Sequence, residues 1–334
     1  MGSSGYSSDE MAARVSYRKA TSTPVFKHDA DVKAGRAYGV APTMNPLNVT
    51  RESRDSDEHP VSVPIAVIMD TTGSMADVPP ILEAALSKLM GVFLDDKASG
   101  KRYLGDGYPA ILIGAVDDYN AMGGDGALQV GQFESGIEID NDLEKIWLTK
   151  RGGGTYEESY ELALYFMARH TVHDNLEKRG RKGYLFIIGD EHPYPSVSPT
   201  QVLGVIGDTI QAPIAVSDIV AEAQKMYHVF FVIPNMTQHY DDVSLFDSWV
   251  KLVGQQNTLR LEDPTKVCEL IAGAVALCEE NVGLDDMLAD GTIDPSIRTA
   301  LVPLSKVGGG LAKVSADSLP ATTGLGDASD VERV

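Results

Sequence analysis

The stretch Val61-Ser62-Val63-Pro64-Ile65-Ala66-Val67-Ile68-Met69-Asp70-Thr71-Thr72-Gly73-Ser74-Met75 decides the fold. Val61–Met69 is a short, mostly apolar run bounded by polar residues, the pattern of a strand buried on both faces. Just beyond it, Pro80–Leu94 carries Leu82, Leu86, Leu89, Met90 and Phe93 at helical spacing. The alternation then continues. Ala110–Val116 and Ala127–Phe133 read as strands joined by the Gly-rich segment Met122–Gly126. Asn141–Leu148 reads as a short helix and Glu157–His170 as a long one. Tyr184–Gly189 and Tyr227–Ile233 read as buried strands, with Gln201–Ile210 and Ser217–Met226 helical between them. Leu245–Val253, Thr258–Leu261 and Lys266–Cys278 supply helix, strand and closing helix. This order predicts an α/β fold: a doubly wound, mostly parallel sheet with helices on both faces. Right-handed crossovers place the functional loops beyond the carboxyl ends of the strands.

The flanks differ. Residues 1–60 are rich in Ser, Thr, Pro and charge and hold neither a period of 2 nor one of 3.6. They are expected as an extended N-terminal arm, laid over the domain through Tyr17, Val25, Phe26 and Tyr38. The domain itself is expected to span 61–281. After residue 282 the apolar pattern thins, so 282–334 is expected as a largely disordered tail, above all Gly308–Val334.

Charge excludes several functions. The 334 residues carry 28 Lys and Arg against 48 Asp and Glu, a net charge of −20, which disfavours binding nucleic acid or an anionic membrane surface. No apolar run approaches the roughly 20 residues that cross a bilayer. Met1–Glu10 lacks the basic-then-apolar pattern of a signal peptide, so a soluble, cytoplasmic protein is expected. Cys268 and Cys278 fall in one expected helix, about 15 Å apart, beyond disulfide reach.

Three loops carry candidate chemistry. Asp70-Thr71-Thr72-Gly73-Ser74 follows the first strand and sets a carboxylate and two hydroxyls at alternate positions, with a glycine that lets the backbone turn. Gly152-Gly153-Gly154-Thr155 offers another hydroxyl just before a helix, and Asp190 closes the strand Tyr184–Gly189. In such a sheet the three loops converge at one edge. Oxygen-only ligands suit a hard cation, Mg²⁺ first, with Mn²⁺ or Ca²⁺ as alternatives.

The pattern Asp-x-Thr-x-Ser, a loop Thr and a strand-end Asp resembles the von Willebrand factor type A (vWA) domain. In that family the set forms the metal-ion-dependent adhesion site. The resemblance spans Val61 to Asn281 and implies that Asp70, Thr72, Ser74, Thr155 and Asp190 hold the metal. The usual motif has Ser where this chain has Thr72, and a hydroxyl is retained. Leu128–Glu134 and Gly189-Asp190-Glu191 also resemble bacterial and bacteriophage members.

Simpler readings stand beside this one. Asp70–Ser74 alone is also a helix cap and turn. Gly152–Gly154 is no phosphate loop, because no Gly-Lys-Ser/Thr follows. Asp117 sits either beyond the direct ligands of the metal or in a solvated turn, and Asp118 is better read as the turn. His192 reads as exposed rather than catalytic, and His170 and His173 as charge compensation at a helix end.

The leading expectation is a non-catalytic module that completes a Mg²⁺ coordination sphere with a partner protein's Asp or Glu. The resemblance adds a separate AAA+ ATPase as one class of partner, because this chain has no ATP-binding motif. A phage structural or assembly component is the alternative. A Mg²⁺-dependent phosphatase or hydrolase is disfavoured, because Thr72 occupies the place where a second carboxylate would act as acid/base.

Overall fold

The computed structural model describes residues 8–99, 103–150, 154–289, 291 and 293–306. A six-stranded sheet forms its centre: β1 (Ser62–Asp70), β2 (Tyr108–Val116), β3 (Leu128–Val130), β4 (Gly183–Ile188), β5 (Tyr227–Pro234) and β6 (Thr258–Leu261), in the spatial order β6-β5-β4-β1-β2-β3. All neighbours run parallel except β2 and β3. The chain therefore starts in the middle, builds one half outward, then returns past β1 to build the other. Met69 pairs with Ile188 and Asp70 with Val116, which sets the carboxyl ends of β1, β2 and β4 side by side.

Helices include α1 (Ser8–Thr21), α2 (Lys27–Lys33), α3 (Val78–Leu86), α4 (Leu89–Ser99), α5 (Glu138–Lys145), α6 (Tyr160–Arg169), α7 (Val216–Met226), α8 (Val243–Val253), α9 (Val267–Cys278), α10 (Leu284–Ala289) and α11 (Arg298–Ser305). Every residue of β1 is buried. Because successive strand side chains point to opposite faces, they enter two separate cores. Ile65, Val67 and Met69 join Leu82, Leu86 and Ile271 in one; Ala66 and Ile68 join Leu162, Phe166 and Trp249 in the other. Pro80–Leu94 forms two helices rather than one. A tight turn breaks it, with Lys88 N–H donating to Ala85 C=O. The apolar spacing runs on across the break because Leu82, Leu86, Leu89, Met90 and Phe93 all enter the same core.

The N-terminal segment is not an extended arm. Its described part folds into α1 and α2, and Arg51–Ser53 pairs in parallel with Thr171–His173. Of the four expected contacts Phe26 is buried, whereas Tyr17 and Tyr38 are 66% and 87% exposed. The helical period is missing from α1 because charge, not apolar burial, attaches it. Arg18 reaches Asp140 and, at 2.9 Å, Glu144, while Arg14 reaches Asn141 at 2.8 Å.

The segment after 282 likewise belongs to the folded unit as far as the description runs. Met287, Ile293, Ile297, Leu301 and Leu304 bury themselves in the same core as Ile65. Gly273 on α9 makes room, since a Cβ there would lie 2.7 Å from Leu301 Cδ1. The stretch expected to be disordered, Gly308–Val334, lies outside the described residues. Cys268 and Cys278 are both free. Among the described residues no helix is long and apolar enough to cross a membrane.

Two outcomes follow from this packing. Leu301→Ala should cost about 2–5 kcal/mol in denaturant unfolding, as for a core leucine; a change near zero would return α11 to the status of a loose tail. Glu83 on α3 is fully buried, neither of its carboxylate oxygens has a hydrogen-bond partner, and the nearest guanidinium, Arg18, stands 4.0 Å away. Burial pushes its carboxyl up to about 7, Arg18 opposes this, and Asp140 and Glu144 add to it. The folded state thus binds a proton that the unfolded state releases near the ordinary glutamate value. Stability is lost as pH rises from about 4.5 to about 7. Glu83→Gln should therefore gain on wild type by on the order of 1–3 kcal/mol between pH 4.5 and 7.5. Parallel pH profiles for the two proteins would refute the assignment.

Candidate metal centre

The site is built from strand ends. Asp70 is the last residue of β1, and the chain then tightens into a short helical turn, Gly73–Met75. Thr72 closes that turn on the carboxylate: its backbone N–H and its hydroxyl donate to Asp70 Oδ1 at 2.7 and 2.6 Å. The hydroxyls of Thr72 and Ser74 lie 3.0 Å apart, and Ser74 donates to Asp190 Oδ1 at 2.8 Å. Asp190 follows β4. The loop after β5 closes over both, with His239 N–H donating to Asp190 Oδ2 at 3.2 Å and Gln238 N–H to Ser74 C=O at 3.1 Å.

Four of the five residues expected to hold a metal, Asp70, Thr72, Ser74 and Asp190, therefore form one hydrogen-bonded series. The fifth, Thr155, stands apart. It is exposed, and its hydroxyl lies 3.3 Å from Glu157 C=O and 3.5 Å from the Tyr194 hydroxyl, which itself donates to Asp118 Oδ1 at 2.9 Å. Gly152 and Gly153 of its loop lie outside the described residues. Asp117 is fully buried, not in a solvated turn. It accepts from Asp118 N–H at 2.7 Å and from the Thr71 hydroxyl at 3.4 Å. Asp118 is buried as well, and caps the helical turn Tyr119–Met122.

Sequence reasoning missed three contributors. Tyr160, at the start of α6, donates its hydroxyl to Asp70 Oδ2 and packs edge-on against Phe231 and Trp249. Gly189 makes that reach available, because a Cβ there would sit 2.1 Å from the Tyr160 hydroxyl. Glu158 and Glu191 face each other across a carboxyl–carboxyl hydrogen bond, and Glu158, 1% exposed, keeps one oxygen without a partner. In the sequence Tyr160 is one apolar position of a helix, and the two glutamates are loop charges. The faint signal was that Glu191 directly follows Asp190.

Electrostatics set the character of the site. Burial raises the carboxyl pKa values of Asp70, Glu158, Asp190 and Glu191. Neighbouring carboxylates add to it: Asp190 acts on Asp70, and Asp70 on Glu158. Asp117 is pushed up to about 8 by burial and then by Asp70. Among the described residues no Lys or Arg forms an ion pair with Asp70, Asp117, Glu158 or Asp190. Such a cluster calls for protons or a cation. The converging set is two carboxylates and two hydroxyls, all oxygen, which fits a hard cation. Among the described residues no three His, Cys, Asp or Glu side chains converge as a cage of their own.

The histidines serve elsewhere. His170 bridges Val49 C=O and Asp208. His173 is buried, accepts from Leu176 N–H, and is lowered by burial to about 3, so it carries no compensating charge. His192 is half-buried on the Ser248 hydroxyl at 2.9 Å.

No family model and no curated protein matches the chain. Among solved structures it is similar to the pilus adhesin SpaC from Lactobacillus rhamnosus GG in its open conformation, at 11% identity and a TM-score of 0.44 over 72% of this chain and 33% of that one. It is also similar to proximal thread matrix protein 1 from the mussel byssus, at 8% identity and a TM-score of 0.40 over 63% of this chain and 46% of that one. The chain thus spans a third to under a half of the length of these proteins.

Tyr160→Phe tests the geometry without disturbing the shape. It keeps the ring against Trp249 but leaves Asp70 Oδ2 unpartnered, so stability in chelator should fall by about 1–3 kcal/mol. An unchanged unfolding midpoint would mean that the hydroxyl does not hold Asp70.

Proposed function

We propose that the chain is a vWA-type module with a doubly wound sheet, binding a partner protein through a hard cation. The observation that carries this is the single hydrogen-bonded series from Asp70 through Thr72 and Ser74 to Asp190, set among buried carboxylates that no Lys or Arg among the described residues pairs. Asp70 and Asp190 would supply two negative charges, and Thr72 and Ser74 neutral oxygens. A bound Mg²⁺, or Mn²⁺ or Ca²⁺, would supply an electrophilic position for an outside carboxylate. Thr155, exposed on its loop, suits a ligand that joins when a partner arrives, and Asp117 suits a place behind the direct ligands.

The partner in this reading presents an Asp or Glu. A cytoplasmic assembly with an AAA+ ATPase is one setting and a phage particle another. The enzyme reading is weaker. A phosphoryl-accepting Asp70 would want an acid/base at position 72, where Thr72 instead donates to Asp70.

Saturating Mg²⁺ should raise the melting temperature of the wild type over that in chelator by mass action. Asp70→Ala should abolish the shift while the fold survives. Thr155→Ala should keep most of the metal shift and lose partner binding by on the order of 1–3 kcal/mol. Equal melting of the wild type in Mg²⁺ and chelator would overturn the reading.

A further inference from the structure

No described side chain of α1 joins either apolar core; the first residue of the described chain to do so is Phe26. What attaches α1 is a pair of arginines one helical turn apart, seated on a carboxylate-lined face made by α3 and α5. Arg18 reaches Asp140, Glu144 at 2.9 Å and, at 4.0 Å, Glu83. Arg14 reaches Asp140 at 3.3 Å and Asn141 at 2.8 Å. The seat holds more negative charge than these two guanidiniums match. Asp140 and Glu83 are fully buried, yet Asp140 Oδ1 and both carboxylate oxygens of Glu83 have no hydrogen-bond partner among the described residues. Arg14 is divided further, because Glu10 of its own helix lies 3.7 Å away. No base of the seat makes up the difference. The sequence of α3 contains none, and Lys145 of α5 turns to Asp142 at 3.0 Å.

We propose that this α3–α5 face is a docking site for a basic helix of a partner protein, one with two guanidiniums a turn apart and at least one further cation, and that α1 covers the site in the free chain. The chemistry of the occupant is read from α1 itself. Arg14 and Arg18 mark where two guanidiniums sit, and the unmatched oxygens of Glu83 and Asp140 mark where donors are lacking. Buried carboxylates without donors are costly, and water reaches them once α1 lifts, so the cover is easily exchanged. A guanidinium suits the place because its fork of donors can serve two carboxylates at once, as Arg18 does for Asp140 and Glu144. The chain's net charge of −20 attracts a basic segment and repels another copy of itself, which favours a foreign helix over the α1 of a second molecule. Departure of α1 leaves the core closed, because residues 22–26 link it to α2 and core packing starts only at Phe26. The site uses none of the residues of the candidate metal centre.

The test uses the full chain, as wild type and as Arg14→Gln/Arg18→Gln, in chelator. Three fluorescent, end-capped peptides are titrated by anisotropy: the α1 sequence Ser8–Thr21, the same with Asp9→Lys and Glu10→Lys, and a shuffled form of that basic peptide. Hydrogen exchange should show the α1 amides losing protection in Arg14→Gln/Arg18→Gln while those of β1 keep theirs. The basic peptide should bind this variant about tenfold or more tighter than wild type, where the resident α1 competes. It should also bind several-fold tighter than the α1 peptide and than its shuffled form, and Glu144→Gln added to the variant should weaken it. Unchanged protection of the α1 amides would overturn the proposal, because the arginines would then not hold the helix. Equal binding of the ordered and shuffled basic peptides would overturn it in favour of unspecific attraction to an acidic surface. Equal binding of the basic and α1 peptides would mean that α1 already fills the site. A wild-type dimer on size-exclusion chromatography that Arg14→Gln/Arg18→Gln dissociates would replace the foreign helix by the α1 of a second copy.

Discussion

Buried negative charge at the carboxyl ends of the central strands is the constraint on which the rest of this molecule turns. Asp70, Asp117 and Asp190 sit where β1, β2 and β4 end, and each is fully enclosed. Ionised carboxylates without a counter-charge are costly to bury. The surrounding structure spends much of its polar content on them. Three hydroxyls, a phenol and several backbone N–H groups all donate into the cluster. Glycine at 189 is one consequence, since the phenol of Tyr160 arrives through the space that a side chain would fill. The stacking of Phe231 on Trp249, with ring centroids 3.7 Å apart, is another, because it builds the wall that holds the phenol in place.

Much of this was readable from residue patterns. The strands from β1 to β6 announce themselves as apolar runs between polar boundaries, because strands covered on both faces have no polar side to show. Asp70, Thr72, Ser74 and Asp190 were legible because strand-end loops in an alternating strand–helix chain must meet at one edge. Other parts were not. Arg14 and Arg18 fix α1 by charge, and ionic attachment leaves no hydrophobic period to detect. Leu301 and Ile293 are too thinly spaced to stand out, yet α9 offers them a socket at Gly273. Glu158 looks like any solvated glutamate until the pairing of Glu157-Glu158 with His192-Pro193 draws it inside.

The start of α3 and its Glu83 have different electrostatic neighbours. Its start follows the Asp70–Met75 turn, and further along it carries Glu83 beside Arg18 of α1. Glu83 faces a guanidinium that Asp140 and Glu144 share. Any shift of α3 along its axis would alter both environments at once.

The strand order carries a consequence for how the chain is made. β1 sits between β2 and β4, and Met69 finds its partner on the β4 side only at Ile188. During synthesis one edge of this fully buried strand therefore waits, unpaired, while the whole segment between them is produced. An apolar strand with an open edge is a template for pairing with other chains. Parallel pairing over such a separation is also slow to form. Newly made chains halted before residue 188 should thus be the form of this protein most in need of a chaperone's protection.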